Sequence, residues 1–357
     1  MRNYAIAAIP GDGIGKDVIE AGLKVLRAAE EAQGDVKIEV ESFPWSCTYY
    51  LEHGRMMPED GLNTLEPFDA IYLGACGFPK LVPDHISLWG LLLPIRKGFD
   101  LYVNHRPIKL LPGLEGILRG KGAADINFEV VRENTEGAYA GVGGRVHQGS
   151  DNEVAIQTIV FTRTAVERIM RYAFDLAQRQ GRKKVTSVTK SNSMQHSNVF
   201  WDEVFEIVAA DYPDIAADQC HVDAMAARMV RNPESLDVLV ASNLFGDILS
   251  DLAGALQGSL GLAPSANVNP DRKVPGFFEP VHGSAPDIAG QGIANPIAAV
   301  WALAMMLESL GEAELAGRIM AAIESITAEG RVLTPDLGGT ATTWDVTDEI
   351  CAKVRAG

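Results

Sequence analysis

Apolar positions follow two rhythms along the first third of the chain. The run Tyr4–Ile9 is continuously apolar, as in a strand covered on both faces, and a helix is predicted after it from about Ile14 to Glu31. Lys37–Phe43 alternates like a half-exposed strand, Ala70–Ala75 is continuous again, and a leucine-rich helix is predicted from about Ser87 to Lys97. Strands separated by helices predict an α/β fold, with a parallel sheet covered on both faces.

The texture changes further along. Ile126–Asn134 and Glu153–Phe161 are strand-like, and Gly137–Asn152 between them is rich in glycine and polar residues, which suits a protruding ribbon or a mobile loop. A helix follows over Arg163–Gln180, then a strand at Lys184–Thr189, a helix near Ser197–Ala209, a strand at Asp237–Ser242 and a helix starting near Phe245. The long Gly/Pro-rich stretch Leu262–Gly292 reads as a loop. Helices are predicted at Pro296–Leu310, Glu314–Glu329 and from about Thr343. No internal repeat is present, and 357 residues suit about two domains.

Composition narrows the partners. A net charge of −16 argues against general nucleic-acid binding and against attraction to anionic membranes. An acidic protein that handles an anion must gather its cations locally. The cysteines Cys47, Cys76, Cys220 and Cys351 form no CxxC or Cys/His metal pattern, which reads as a reducing compartment. The N-terminal apolar run is too short for a signal peptide, and no apolar stretch approaches the roughly 20 residues of a membrane helix. A soluble cytoplasmic protein is the expectation.

Two segments compete for a nucleotide. "GDGIG" (Gly11–Gly15) follows a strand, but the third glycine of a dinucleotide fingerprint would stand at Lys16, and Gly15 falls one place early. Asp12 would also bring a carboxylate towards a pyrophosphate. A tight turn whose glycines allow unusual backbone angles is the plainer reading. The later stretch Glu279–Pro296 is richer in histidine, glycines and free backbone N–H groups. Asp287 suits the hydroxyls of an adenosine ribose and would repel a 2′-phosphate; Ser284 and Asp287 also fit a helix capping box.

Acids and bases complete the candidate chemistry. Asp247 and Asp251 stand four apart in a helical stretch, so they share a face, and paired carboxylates suit Mg²⁺ or Mn²⁺. A solvated acidic face is the ordinary alternative, although Leu244, Phe245, Ile248, Leu249 and Leu252 argue for partial burial. Asp223 is a third ligand or a helix cap. Arg96, Arg106 and Arg132 each lie at or near the end of a predicted element, and arginine's planar fork suits carboxylates. Taken singly, each reads as a surface salt bridge. Tyr139 and Lys190 carry no signal alone.

Together these segments resemble the metal-dependent β-decarboxylating dehydrogenases, the isocitrate and isopropylmalate dehydrogenase family, over essentially the whole chain. "NLFGDILSDLAGALQGSLGL" carries the likeness most specifically, with "GDGIG", "NHRP", "RENTEGAY", "TKSN" and "HGSAPDIAGQGIANP" in family order. The resemblance implies an α/β, two-domain isopropylmalate-dehydrogenase-like fold with parallel or mixed sheets flanked by helices, not an ordinary Rossmann fold. A larger cofactor domain would comprise 1–102 plus 257–357. A smaller domain, 103–256, would carry metal and substrate residues, dimer contacts and an arm near 137–155. By resemblance, Arg96, Arg106 and Arg132 hold substrate carboxylates. Asp247 and Asp251, with Asp223 from a second subunit, hold Mn²⁺ or Mg²⁺; a K⁺ requirement is left open. Lys190, also crossing the subunit boundary, is the base at the hydroxyl, and Tyr139 protonates the enolate. His282, Gly283, Ser284, Ala285, Asp287, Ile288, Asn295 and Asp336 bind the adenosine half of NAD. A shared site implies a homodimer.

Substrate choice is expected from His85–Arg96. Isocitrate enzymes carry Ser and Asn where this chain has Gly90 and Leu92, so a third carboxylate would be buried unpaired. Leu92 and Leu93 match isopropylmalate enzymes, but Trp89 replaces their Glu and should fill the room an isopropyl group needs; the alternative is a core Trp89 facing away, which leaves isopropylmalate open. "SLWG" looks like the tartrate/D-malate branch. The expected reaction is oxidation and decarboxylation of D-malate to pyruvate, with tartrate also accepted. The alternatives are 3-isopropylmalate dehydrogenase and, in a different class, a non-catalytic regulatory subunit.

Overall fold

A computed structural model describes residues 2–357, which divide into two compact units. The first holds the residues up to Leu101, Pro107–Ile126 and Gly254–Gly357; the second holds Tyr102–Arg106 and Asn127–Ala253. The described strands are β1 (Arg2–Gly11), β2 (Val36–Ser42), β3 (Ala70–Ala75), β4 (Val103–Lys109), β5 (Asn127–Glu133), β6 (Gly143–Val146), β7 (Val154–Gln157), β8 (Lys184–Thr189), β9 (Ala216–His221), β10 (Val238–Ala241), β11 (Pro264–Val268) and β12 (Gly276–Pro280). The architecture is the expected α/β type with mixed pairing.

In the first unit the strand order is β2-β1-β3-β12-β11. β1 runs parallel to β2 and β3, β12 runs parallel to β3, and β11 pairs antiparallel with β12. All six residues of β3 are buried, as a strand sandwiched between helical layers requires. Helices Gly15–Gln33, Ile297–Ser309, Ala313–Glu329 and Thr343–Ala356 contribute Val18, Leu26, Trp301, Ile319 and Ile350 to one core. A second apolar cluster joins Phe43, Trp45, Leu91, Ile95 and Phe99.

Two sequence expectations need correction here. The loop Leu262–Gly292 contains the buried strands β11 and β12. Pro264, Asn267, Asn269 and Gly276 hide their pattern, and Asn267 is tolerated because its amide donates to the Phe277 carbonyl and Glu279. The helix before Arg96 is broken into Asp84–Ser87, a wider π turn at Leu88–Leu92, and Leu93–Gly98. Pro94 explains the break. It has no N–H for the fourth carbonyl back and its ring would strike it, so the Leu93 N–H reaches five residues back to Leu88.

In the second unit the order is β4-β5-β10-β8-β9, with β5, β10, β8 and β9 mutually parallel. Helix Arg163–Gln180 lays Val166, Ile169, Met170 and Phe174 onto these strands, capped by Thr162 at its start and by left-handed Gly181 at its end. The glycine-rich segment is a ribbon. β6 and β7 form a separate antiparallel pair that exposes Val146, Val154 and Ile156.

Parallel strands bring their C-terminal ends to one edge, where ligands bind in open α/β sheets. Register places Arg132 opposite Ala241, Ala241 opposite Val188, and Thr189 opposite His221. Lys190, Asp223 and Asn243 follow those ends directly. Among the described residues, no helix is long and apolar enough to cross a membrane.

Candidate active site

Helix Asn243–Leu256 rises from the end of β10. Its polar residues Asn243, Asp247, Ser250 and Asp251 fall at helical spacing on one face. Arg132, only 2% exposed, donates from Nε and Nη2 to Asn243 Oδ1 at 3.1 and 2.7 Å, and from Nη1 to Asp247. Tyr139 donates its hydroxyl to Asp247 Oδ2 at 3.0 Å, and its ring lies 5.5 Å from the Arg132 guanidinium. Arg106 is also buried. It donates to Asn104 Oδ1 at 2.8 Å and to Ser250 Oγ at 2.6 Å, and it approaches Asp247 and Asp251 at 3.9 and 3.6 Å. Five residues singled out in the sequence, Arg106, Arg132, Tyr139, Asp247 and Asp251, therefore converge within the second unit.

The electrostatics are asymmetric. Desolvation first, and the like charge of Asp247 after it, push the Asp251 carboxyl above its ordinary range, against the pull of Arg106 and Arg132. Asp247 and Asp251 present two carboxylates on one face of this helix, four residues apart. The donor set is all oxygen, which suits Mg²⁺ or Mn²⁺. Asp223 does not join it. Among the described residues no group of three or more His, Cys, Asp or Glu side chains gathers for a metal. Instead Asp223, in the first turn of helix Val222–Arg231, pairs with Lys190 at 2.5 Å, which holds the Asp223 carboxyl below its usual range.

In the first unit Arg96 is buried, donating to Glu279 Oε1 at 2.5 Å. Its Nε is buried without a hydrogen-bond partner in the protein. An unsatisfied guanidinium donor is what an acceptor ligand would complete. Trp89 is 44% exposed, with Lys97 Nζ 4.6 Å from its ring centre, so it is not a core residue. Leu92 belongs to the cluster of Phe43, Met56 and Ile95. All three arginines are buried, which replaces the surface salt-bridge reading.

The candidate nucleotide loop is also in the first unit. His282 Nδ1 lies 3.0 Å from the Gly283 carbonyl, while Nε2 is buried without a partner and desolvation lowers the imidazole's pKa. Ser284 donates to the Gly77 carbonyl rather than forming a capping box with Asp287, and no helix follows it. Ala285 and Ile288 pack on the first core, while Gly283 and Asp287 are exposed. Asp336 is a hub: Ser259 and Asn295 donate to Oδ2 at 2.5 and 3.0 Å, and Thr334 donates to Oδ1 at 2.5 Å.

Sequence reasoning missed Asn104, Asn243, Ser250 and Glu279. For Asn243 and Ser250 a signal existed, since Asn243 extends the Asp247/Asp251 face by one turn and Ser250 lies within it. Asn104 had a local one, since residues two apart on a strand share a face and it accepts from Arg106 on β4; Glu279 acts across elements and left none.

This fold and this site define a class, and the chain belongs to it: it matches the isocitrate/isopropylmalate dehydrogenase family over residues 5–350. Within that family of enzymes it is 56% identical over 355 residues to the probable tartrate dehydrogenase/decarboxylase of Bacillus subtilis (strain 168), covering 99% of both chains. It is 56% identical over 357 residues to the decarboxylating D-malate dehydrogenase of Escherichia coli (strain K12), covering 98% of both. Among solved structures, isocitrate dehydrogenase from Methylococcus capsulatus matches with a TM-score of 0.87 and 38% identity over 99% of both chains.

Proposed function

We propose that the chain catalyses the NAD-dependent, divalent-metal-dependent oxidation of a small 2-hydroxy diacid with decarboxylation, foremost D-malate to pyruvate and CO₂, and that it also acts on tartrate. The observation that carries this reading is the convergence of Arg106, Arg132 and Tyr139 on Asp247 and Asp251. The names of the close relatives support the substrate class. Trp89 supports a small C3 substituent.

The roles are assigned residue by residue. Asp247 and Asp251, with Asp223 from a second copy, hold Mn²⁺ or Mg²⁺. The loop 282–288, Asn295 and Asp336 hold the adenosine half of NAD. When bound, the ion lowers the pKa of the substrate hydroxyl and stabilises negative charge on that oxygen, while the nicotinamide accepts the hydride from C2. Arg96, Arg106 and Arg132 bind carboxylates, for which their buried, preorganised forks cost little ordering on binding. Lys190 accepts the hydroxyl proton. A base must be uncharged, so the present Lys190–Asp223 pair has to open, as it would where Asp223 serves as a metal ligand. Loss of CO₂ leaves its bonding electrons on the former C3, where Tyr139 delivers a proton. The first unit would serve the cofactor, and the second the metal, the substrate and dimer contacts. The exposed valines and isoleucine of β6–β7 support a homodimer, since a lone two-stranded ribbon is marginal in water. We place the enzyme in the cytoplasm, acting on small molecules rather than on nucleic acid or membranes.

The test is a substrate panel with the chain expressed alone, NAD and Mn²⁺: D-malate, the tartrates, 3-isopropylmalate and isocitrate. D-malate is expected to show the highest kcat/KM. Preference for 3-isopropylmalate would replace this reading by that dehydrogenase, and absence of turnover with every substrate by a regulatory subunit.

A further inference from the structure

We propose that residues 12–17, the turn after β1 and the first residues of helix Gly15–Gln33, are the seat that shapes the loop 282–290, and that Gly13 and Asp17 are positioning residues for nucleotide binding. The inference rests on the reading that this loop takes the adenosine half of NAD.

The turn is committed to the protein itself. The Asp12 carboxylate is buried and accepts the backbone N–H of Cys47 at 2.9 Å and of Gly77 at 3.0 Å, so it is spent on joining neighbouring segments. Gly13 has φ +54°, and a Cβ on it would lie 1.9 Å from the Ser284 carbonyl oxygen. No side chain fits that approach. The N–H of Ile14 donates to the same Ser284 carbonyl at 2.8 Å, and the Ser284 hydroxyl donates to the Gly77 carbonyl. At the far end of the loop, the N–H of Gly290 donates to Asp17 Oδ2 at 3.1 Å.

Between these two clamps the backbone is unusual. Ala285 sits at φ +35°, a region that side chains rarely adopt and that persists only where the surroundings impose it. Ile288 and Ala289 pack on the core while Asp287 faces outward. A loop held at both ends presents Asp287 already ordered, with the Ile288 N–H closing a turn onto the Ala285 carbonyl at 3.1 Å. A bound nucleotide then loses less free energy to ordering the protein. The glycines that imitate a phosphate-binding fingerprint would serve the nucleotide indirectly, as the support of a loop from another part of the sequence.

Calorimetric titration with NAD⁺ and with ADP-ribose tests this without turnover. Wild type is expected to bind both. Gly13→Ala and Asp17→Ala are expected to weaken binding about ten-fold, the scale of one hydrogen bond to a charged group. Asp17→Asn, whose amide oxygen still accepts from Gly290, should restore affinity. Amide hydrogen exchange across 285–290 should quicken in Asp17→Ala without ligand, and KM for D-malate should not move. Asp17 is only half-buried, so its variants decide the matter should Gly13→Ala fail to fold. Unchanged nucleotide affinity in Asp17→Ala, with affinity lost in Asp287→Ala, overturns the seat and leaves the cofactor reading intact. A wild type that binds neither ligand, or an Asp287→Ala variant that binds normally, overturns both.

Discussion

Gly246 sets how closely helix Asn243–Leu256 approaches Arg132. A Cβ there would lie 2.6 Å from Arg132 Cγ, and that side chain is fully enclosed, so it cannot swing aside. Gly246→Ala should destabilise the fold by about 1–3 kcal/mol, the usual cost of overpacking, and raise KM through a displaced Arg132. A thermal melt indistinguishable from wild type would contradict this contact. Asp251 makes the opposite case. Its folded-state pKa is raised, so stability falls as pH rises from the unfolded pKa to the folded one, and the full cost stands above both. Asp251→Asn removes the charge and should melt no lower than wild type at neutral pH without metal, yet lose metal-dependent turnover. Near-normal activity in that variant would refute the metal assignment. The arginines, Tyr139 and both aspartates were legible because their spacing and their resemblance pattern lie within continuous segments. The partner Glu279 was not, because it meets Arg96 only through a contact between segments far apart in sequence; Asn104 stands two residues before Arg106 on β4, and its role follows from the side-chain contact the strand allows.

At the scale of elements, the second unit is tied by a buried chain of charges. His105, on β4, lies 2.8 Å from Glu129 Oε2 on β5, and Arg182 donates to Glu129 Oε1 at 2.9 Å while pairing with Asp237 at 3.3 Å. Burial alone would raise the Glu129 pKa, but the hydrogen bonds and charges of His105 and Arg182 outweigh it and hold the group below its usual range. A depressed carboxylate pKa gives stability that is present above the unfolded pKa and lost as pH falls through the folded one. Acid unfolding should draw on this network. Arg182→Ala leaves Glu129 buried with one partner fewer and should cost about 3–5 kcal/mol in urea denaturation at neutral pH. An unchanged midpoint would show that the network is solvated. Elements with a clear period, such as Arg163–Gln180 and Ala70–Ala75, were readable in advance. β11 and β12 were not, since pairing and burial override the loop-like composition of their residues. Pro94 was visible, but its outcome as a π turn depended on the packing around it.

For the whole molecule, a net charge of −16 coexists with three buried arginines, Arg96 in the first unit and Arg106 and Arg132 in the second. Lys190 and Asp223 pair with each other, while Asp247 and Asp251 stand with Arg106, and no third acidic or histidine ligand completes their set among the described residues. If each reaction centre takes Lys190 and Asp223 from one copy and Asp247 and Asp251 from another, inactive chains can repair each other. Lys190→Ala and Asp251→Asn should each be inactive alone. Combined in one mixed dimer, they place both lesions in one centre and leave the other centre native. Random pairing of equal amounts makes about half the dimers mixed, so co-expressed chains should recover about a quarter of wild-type activity. Should all four residues act within a single chain, every centre in the mixture carries a lesion, and activity would stay at the level of the two parents.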